Sequence, residues 1–132
     1  MNLELEDFDL ERLNSKNTCL ILGDSESGRS TLIKTIIKTD NLPFVTGIVC
    51  TDSTHSVSFY PDFLPQICIY KRYSTLLASR CYQDNTYLIL DDYYYNKEKY
   101  NEIFESAKPK NMMLLVSLKK FTDFTDYNYI FI

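Results

Sequence analysis

Apolar residues along the chain fall into short unbroken runs, and between the runs they recur at helical spacing. The runs at 18–22, 45–50, 67–70, 87–90, 112–118 and 129–132 read as strands. Most of them lack the alternation of a half-exposed strand, which marks strands buried on both faces. Over 31–39, Leu32, Ile33, Ile36 and Ile37 repeat as one face of a helix, and Asn41-Leu42-Pro43 stops it. Tyr73, Leu76, Leu77 and Cys81 suggest a further helix, and Tyr100, Ile103, Phe104 and Ala107 another, closed by Pro109. The stretch 51–65 is polar with two prolines and reads mostly as loop. Strands alternating with helices predict an α/β fold with a largely parallel sheet.

Residues 1–16 are charged, with Leu3, Leu5, Phe8, Leu10 and Leu13 as the apolar anchors. They read as an acidic lead-in to one domain at 17–132. At 132 residues and 45% hydrophobic, the chain can bury a real core, which excludes disorder for most of it. No apolar run is long enough to span a membrane, so no membrane partner is expected. The start carries charge where a signal peptide would carry its apolar core.

The net charge of −4 argues against a stand-alone nucleic-acid binder, because phosphate neutralisation supplies most non-specific affinity. It leaves room for DNA contact through a local patch. Cys19, Cys50, Cys68 and Cys81 form no CxxC pair, so a zinc site is not indicated. Three of them lie in strand-like runs and read as small buried hydrophobes, which points to a reducing intracellular compartment. His55, the single histidine, sits in the polar stretch and leaves no histidine-based triad or zinc site.

Two of the three glycines, Gly23 and Gly28, fall in one segment, Gly23-Asp24-Ser25-Glu26-Ser27-Gly28-Arg29-Ser30. This has the form G-x-x-x-x-G-R-S between a buried strand and a helix, the context of a phosphate loop. Glycines admit φ > 0 and so let successive N–H groups point into one concavity, to which the helix N-terminus adds partial positive charge. Gly23, Ser25, Ser27, Gly28, Arg29, Ser30 and Thr31 are the expected nucleotide-binding residues, and Ser30 is placed to hold magnesium between two phosphates. The motif wants Lys where Arg29 stands. A guanidinium keeps the charge but is a planar fork, less suited to following the γ-phosphate through transfer. Asp24 and Glu26 would each cost about 2 kcal/mol if they faced an anion some 7 Å away at an effective dielectric near 20.

The complementary half is Tyr87-Leu88-Ile89-Leu90-Asp91-Asp92. Asp91 at the strand end is expected in the magnesium shell, and Asp92 is expected to orient or deprotonate the attacking water. Asp92 and Arg29 are then the catalytic pair, with ATP and Mg²⁺ as cofactors. A complete strand and helix lie between the loop and Asp91. This spacing favours a RecA-type P-loop NTPase core. Two central strands, each capped by a ligand group, lead to an expected strand order 5-1-4-3-2 with Ser30 and Asp91 on neighbouring strand ends. Tyr93-Tyr94-Tyr95 could stack on bases, though such residues more often pack a sheet edge. Lys108, Lys110, Lys119 and Lys120 are candidates for a basic rim, while Lys34 and Lys38 read as surface.

From about Phe8 to Ile132 the chain resembles the DNA-packaging ATPases of large DNA viruses, the poxvirus-type branch of the FtsK/HerA motors. The resemblance is carried by Cys19-Leu20-Ile21-Leu22-Gly23, Ser27-Gly28-Arg29-Ser30-Thr31-Leu32-Ile33, Gly47-Ile48-Val49-Cys50 and Leu88-Ile89-Leu90-Asp91-Asp92. Tyr60-Pro61, Leu64-Pro65, Ile67-Cys68-Ile69-Tyr70, Met113-Leu114-Leu115-Val116-Ser117 and the closing run from Asp126 to Ile132 complete it. It implies an ATPase core of the RecA/ASCE type acting as a homo-oligomeric ring, with viral double-stranded DNA or capsid proteins as partners. The setting it implies is the viral factory in the host cytoplasm, or the virion.

The departures bear on activity. The family's γ-phosphate-sensing Gln falls near Lys119 here, its Gly-Arg-His segment is replaced by Ala107-Lys108-Pro109-Lys110, and its Arg before the last strand has no counterpart in 121–128. The expectation is an ATPase-like protein with weak or lost hydrolysis. The alternative is a non-catalytic structural or regulatory virion protein that retains the ATPase fold. A small-molecule kinase is the weaker third reading, since no Arg-rich lid is present.

Overall fold

A computed structural model of the chain describes residues 18–23, 26–39, 44, 46–51, 53–72, 76, 83–91, 97–119, 127 and 129–131. The acidic lead-in at 1–16 lies outside them, as do Asp24, Ser25, Asp92 and Tyr93-Tyr94-Tyr95. The elements in chain order are β1 (Thr18–Leu22), α1 (Glu26–Thr39), β2 (Thr46–Cys50), α2 (Thr54–Phe59), a 3₁₀ turn (Tyr60–Asp62), β3 (Gln66–Tyr70), β4 (Thr86–Asp91), α3 (Lys97–Ala107), β5 (Met112–Leu118) and β6 (Tyr129–Phe131). Leu76, of the helix expected around 73–81, is helical and buried; Tyr73, Leu77 and Cys81 lie outside the described residues.

The fold is α/β with a single sheet in which every pairing is parallel. Its order, β3-β2-β4-β5-β1-β6, has six strands and differs from the expected 5-1-4-3-2. The difference comes from β3, which pairs with β2 at the edge and takes a place in the chain order that a five-strand scheme leaves out. Set β3 aside, and the others follow as β2-β4-β5-β1-β6.

Strand alternation divides the core into two layers. Cys19 and Ile21 of β1, Tyr87 and Ile89 of β4, and Met113 and Leu115 of β5 face α1, where Ile33 and Ile36 meet them with Tyr60 and Leu64. Leu20, Leu88, Leu90, Leu114 and Val116 face the other way, against Tyr100, Ile103 and Ala107 of α3. β4 and β5 are buried along their whole lengths, as their unbroken apolar runs predict.

The stretch 51–65 departs from the expected loop, since 54–62 is helical. Ser53 caps α2, its side chain accepting from the Ser56 N–H at 3.3 Å. Pro61 falls at the start of the 3₁₀ turn, where its missing N–H costs nothing. Cys68 is exposed, contrary to the reading of the strand cysteines as buried, because the edge strand β3 has a side open to solvent; Cys19 and Cys50 are buried.

Two outcomes are expected from this packing. A Cβ built on Gly47 would stand 2.7 Å from Leu64 Cδ1, and Leu64 is only 1% exposed. Gly47→Ala should therefore cost about 1–3 kcal/mol in urea unfolding, and less in a Leu64→Ala background that makes room for the methyl. Burial pushes the Cys19 thiol up to about 12. A thiol-alkylating reagent at pH 8 should modify Cys68 in the native protein and leave Cys19 unmodified until unfolding, as read by peptide mass mapping.

Candidate functional site

Polar side chains inside this fold gather at the carboxyl ends of the strands. Arg29, Ser30, Thr51, Ser56, Asp91 and Ser117 are all buried there, while the buried Thr86 opens β4 at the other end. Parity explains how they meet. Continuing the alternation of the α1 face along each strand arrives at Gly23 after β1, Asp91 at the end of β4 and Ser117 near the end of β5. Asp91 and Ser117 are register partners, and Ser117 is also the partner of Ile21. Strand spacing then sets Asp91 about 10 Å across the sheet from the end of β1. β5 lies between the two, so the loop and Asp91 are not on neighbouring strand ends as expected.

The first turns of α1 fold over this corner. The Arg29 side chain, 4% exposed, turns back onto the sheet. Its Nε–H donates to Ser117 Oγ at 2.8 Å, and Nη1 donates to the carbonyl of Gly23. A buried guanidinium needs such acceptors, because an unpaired charge in the interior costs several kcal/mol. Ser30 is fully buried, and its Oγ has no hydrogen-bond partner among the described residues. On the far side of Ser117, Asp91 Oδ2 accepts a hydrogen bond from Ser56 Oγ of α2. The row from the Gly23 carbonyl through Arg29 and Ser117 to Asp91 and Ser56 crosses β1, β5, β4 and α2.

The loop itself differs from the expected cradle. α1 begins at Glu26, not at Thr31, so Ser27, Gly28, Arg29 and Ser30 are helical. No glycine among the described residues has positive φ, so the left-handed backbone argued for Gly23 and Gly28 is not what they supply. At Gly23 an added Cβ would meet Arg29 Cγ at 3.5 Å, an ordinary contact. Gly28 and Thr31 lie on the exposed side of α1. Ser25, the side chain of Ser27, and Asp92 are outside the described residues.

Other expected features fall away from this corner. Lys108 and Lys110 precede β5 and Lys119 follows it, so about 20 Å of strand separates them and they form no single basic rim. Lys34, read as surface, is half-buried with its ammonium 5.7 Å from the ring centroids of Phe59 and Phe63. His55 is exposed and stacks on Phe59 at 5.2 Å. A cavity of about 380 Å³, lined by Thr18, Phe104, Lys108, Lys110, Met112 and Leu114 among others, opens at the amino ends of β1 and β5. It lies at the opposite edge of the sheet from Ser30 and Asp91. Ligands of open parallel sheets bind at the carboxyl edge, where the buried polar groups are. Among the described residues no helix is long and apolar enough to cross a membrane.

Sequence reasoning missed Ser117 and Ser56. Ser117 had a signal: it is the polar residue near the end of an otherwise apolar run, in phase with Met113 and Leu115. Nothing local ties Ser56 to Asp91, 35 residues on.

No protein-family model matches the chain, and no curated protein sequence matches it.

The oxygen donors present suit a hard cation. Ser30 Oγ is buried without a described partner, and the Asp91 carboxylate is fully buried at the same edge. Among the described residues no three His, Cys, Asp or Glu side chains form a metal-holding group.

Ser117→Ala leaves the Arg29 Nε–H facing an apolar methyl, and should destabilise the fold by about 1.5–3 kcal/mol, the range for a hydrogen bond to a charged group. Arg29→Met should cost a similar amount. The double variant should fall well short of the sum, as a thermal or urea double-mutant cycle would read.

Proposed function

We propose that the carboxyl edge of this sheet is a nucleoside-triphosphate site of the P-loop type, in a protein resembling viral DNA-packaging ATPases, with weak or lost turnover. The single observation that carries this reading is that Arg29, from the first turns of α1, meets Ser117, the register partner of Asp91, at that edge. The placement of one strand, β5, between the strand before the loop and the strand ending in Asp91 supports a RecA-type core. In this reading the N-terminus of α1 and Arg29 attract the phosphates. Ser30 and Asp91 would hold a magnesium ion, whose charge would screen that of the phosphates. Asp92, next in sequence, would orient or deprotonate the attacking water. Double-stranded DNA, capsid proteins, a ring of copies and a viral-factory or virion setting belong to the same proposal through the resemblance.

Slow chemistry follows from Arg29. Its guanidinium is turned back onto the sheet by Ser117 and the Gly23 carbonyl, so two of its five donors are committed before any phosphate arrives. A Lys at that position is a compact cation on a longer flexible stem. The second reading, a structural or regulatory virion protein on the same fold, is favoured by one observation. The helix starts at Glu26, so Ser27 to Ser30 are helical where an N–H cradle was expected.

Calorimetry with ATP and Mg²⁺ separates the two. Arg29→Lys should tighten binding by about 1–2 kcal/mol, roughly five- to thirty-fold. Steady-state hydrolysis by the unaltered chain should stay far below ~1 s⁻¹, since sensor and finger groups are each worth orders of magnitude. Turnover near that rate, lost in Asp92→Asn, would restore a working motor. A folded protein and folded Arg29→Lys variant that both ignore millimolar ATP would leave the structural reading.

A further inference from the structure

α2 is packed the wrong way round for a helix held by the hydrophobic effect. Its one fully buried residue is Ser56, while the neighbouring Val57 is 37% exposed. Burying a valine stabilises a fold by about 1.5–3 kcal/mol, whereas a buried hydroxyl must find a partner to break even. The partner Ser56 finds is Asp91 Oδ2, across 35 residues of sequence, on the sheet face that α1 covers. The backbone supports the same orientation. Ser53 caps α2 through the Ser56 N–H, and the Thr51 side chain, itself fully buried, accepts from the Ser53 N–H at 3.1 Å. Three hydroxyl residues after β2, Thr51, Ser53 and Ser56, thus lead the chain to one contact with one carboxylate.

We infer that Ser56 is a positioning residue for Asp91: its hydroxyl holds Oδ2 so that the carboxylate presents a fixed oxygen to a divalent cation entering with nucleotide. This rests on the nucleotide reading above and adds a residue to that site. A hydrogen bond behind a metal-binding carboxylate sets its orientation, and removal of such partners typically costs ten- to a hundred-fold in metal affinity.

The test compares affinity for a non-hydrolysable ATP analogue with and without Mn²⁺, together with the electron paramagnetic resonance signal of bound Mn²⁺. Full-length protein is used throughout, and circular dichroism checks folding. The unaltered chain should bind the analogue more tightly with Mn²⁺, and Asp91→Asn should lose that gain. Ser56→Ala should cut the gain roughly ten-fold while metal-free affinity stays within about two-fold. Ser56→Thr, which keeps the hydroxyl, should restore most of it. Should Ser56→Ala not fold, Ser56→Cys takes its place with the same expectation, since a thiol keeps the volume but is a weak donor.

Ser53→Ala is the control for a merely structural part, because it loosens the α2 cap without touching Asp91 and should leave the gain intact. An undiminished gain in Ser56→Ala alongside its loss in Asp91→Asn overturns the role of Ser56 and leaves the nucleotide site standing. So does an equal loss in Ser53→Ala. No Mn²⁺-dependent gain in the folded, unaltered protein overturns the nucleotide reading and the role of Ser56 with it.

Discussion

Burial of β4 and β5 on both faces is the constraint from which the rest of this molecule follows. Every residue of these strands, from Thr86 to Asp91 and from Met112 to Leu118, is buried. Such strands admit polar groups only where another part of the chain supplies partners. That confines Asp91 and Ser117 to the strand ends. It also obliges α1 and α2 to reach over the sheet edge with Arg29 and Ser56. The parallel register Asp91↔Ser117 brings the two pairs side by side. The polar corner is therefore the outlet of an apolar sheet, and its chemistry is set by which hydroxyl or charge each neighbouring helix brings.

Arg29 shows how such a corner stabilises the fold and limits function with the same atoms. Its hydrogen bonds to Ser117 and Gly23 tie α1 to β5 and to the end of β1. Those bonds satisfy a buried charge, which is a gain for the fold. In the nucleotide reading proposed above, a phosphate at the helix N-terminus would meet a cation whose donors are already partly committed. The inward Ser56 and outward Val57 fit the same pattern, with apolar burial given up where a carboxylate needs orienting.

The α/β class, the parallel sheet and the core faces of α1 and α3 are legible in the residues alone. Apolar runs such as 112–118 and the spacing Tyr100-Ile103-Phe104-Ala107 express burial directly. The candidate corner was legible in part: Gly23 to Ser30 and Asp91 stand out because each follows a buried strand. The helical character of 54–62 was not, because two prolines and several hydroxyl residues look like loop until Ser53 caps the helix and Pro61 takes the first turn. Nor was the early start of α1 at Glu26, since Gly23 to Ser30 read as a phosphate loop until the helix is seen to run through Gly28.

What the sequence determined by itself is therefore local: which segments are buried, and which polar residues stand at their ends. What only the tertiary structure decided is which ends meet. The place of β5 between β1 and β4, the bond from Arg29 to Ser117 and the bond from Ser56 to Asp91 link residues 35 to 88 positions apart. Periodicity carries no information over such separations. Strand order and register do, because a parallel sheet aligns the carboxyl ends of strands that are far apart in the chain.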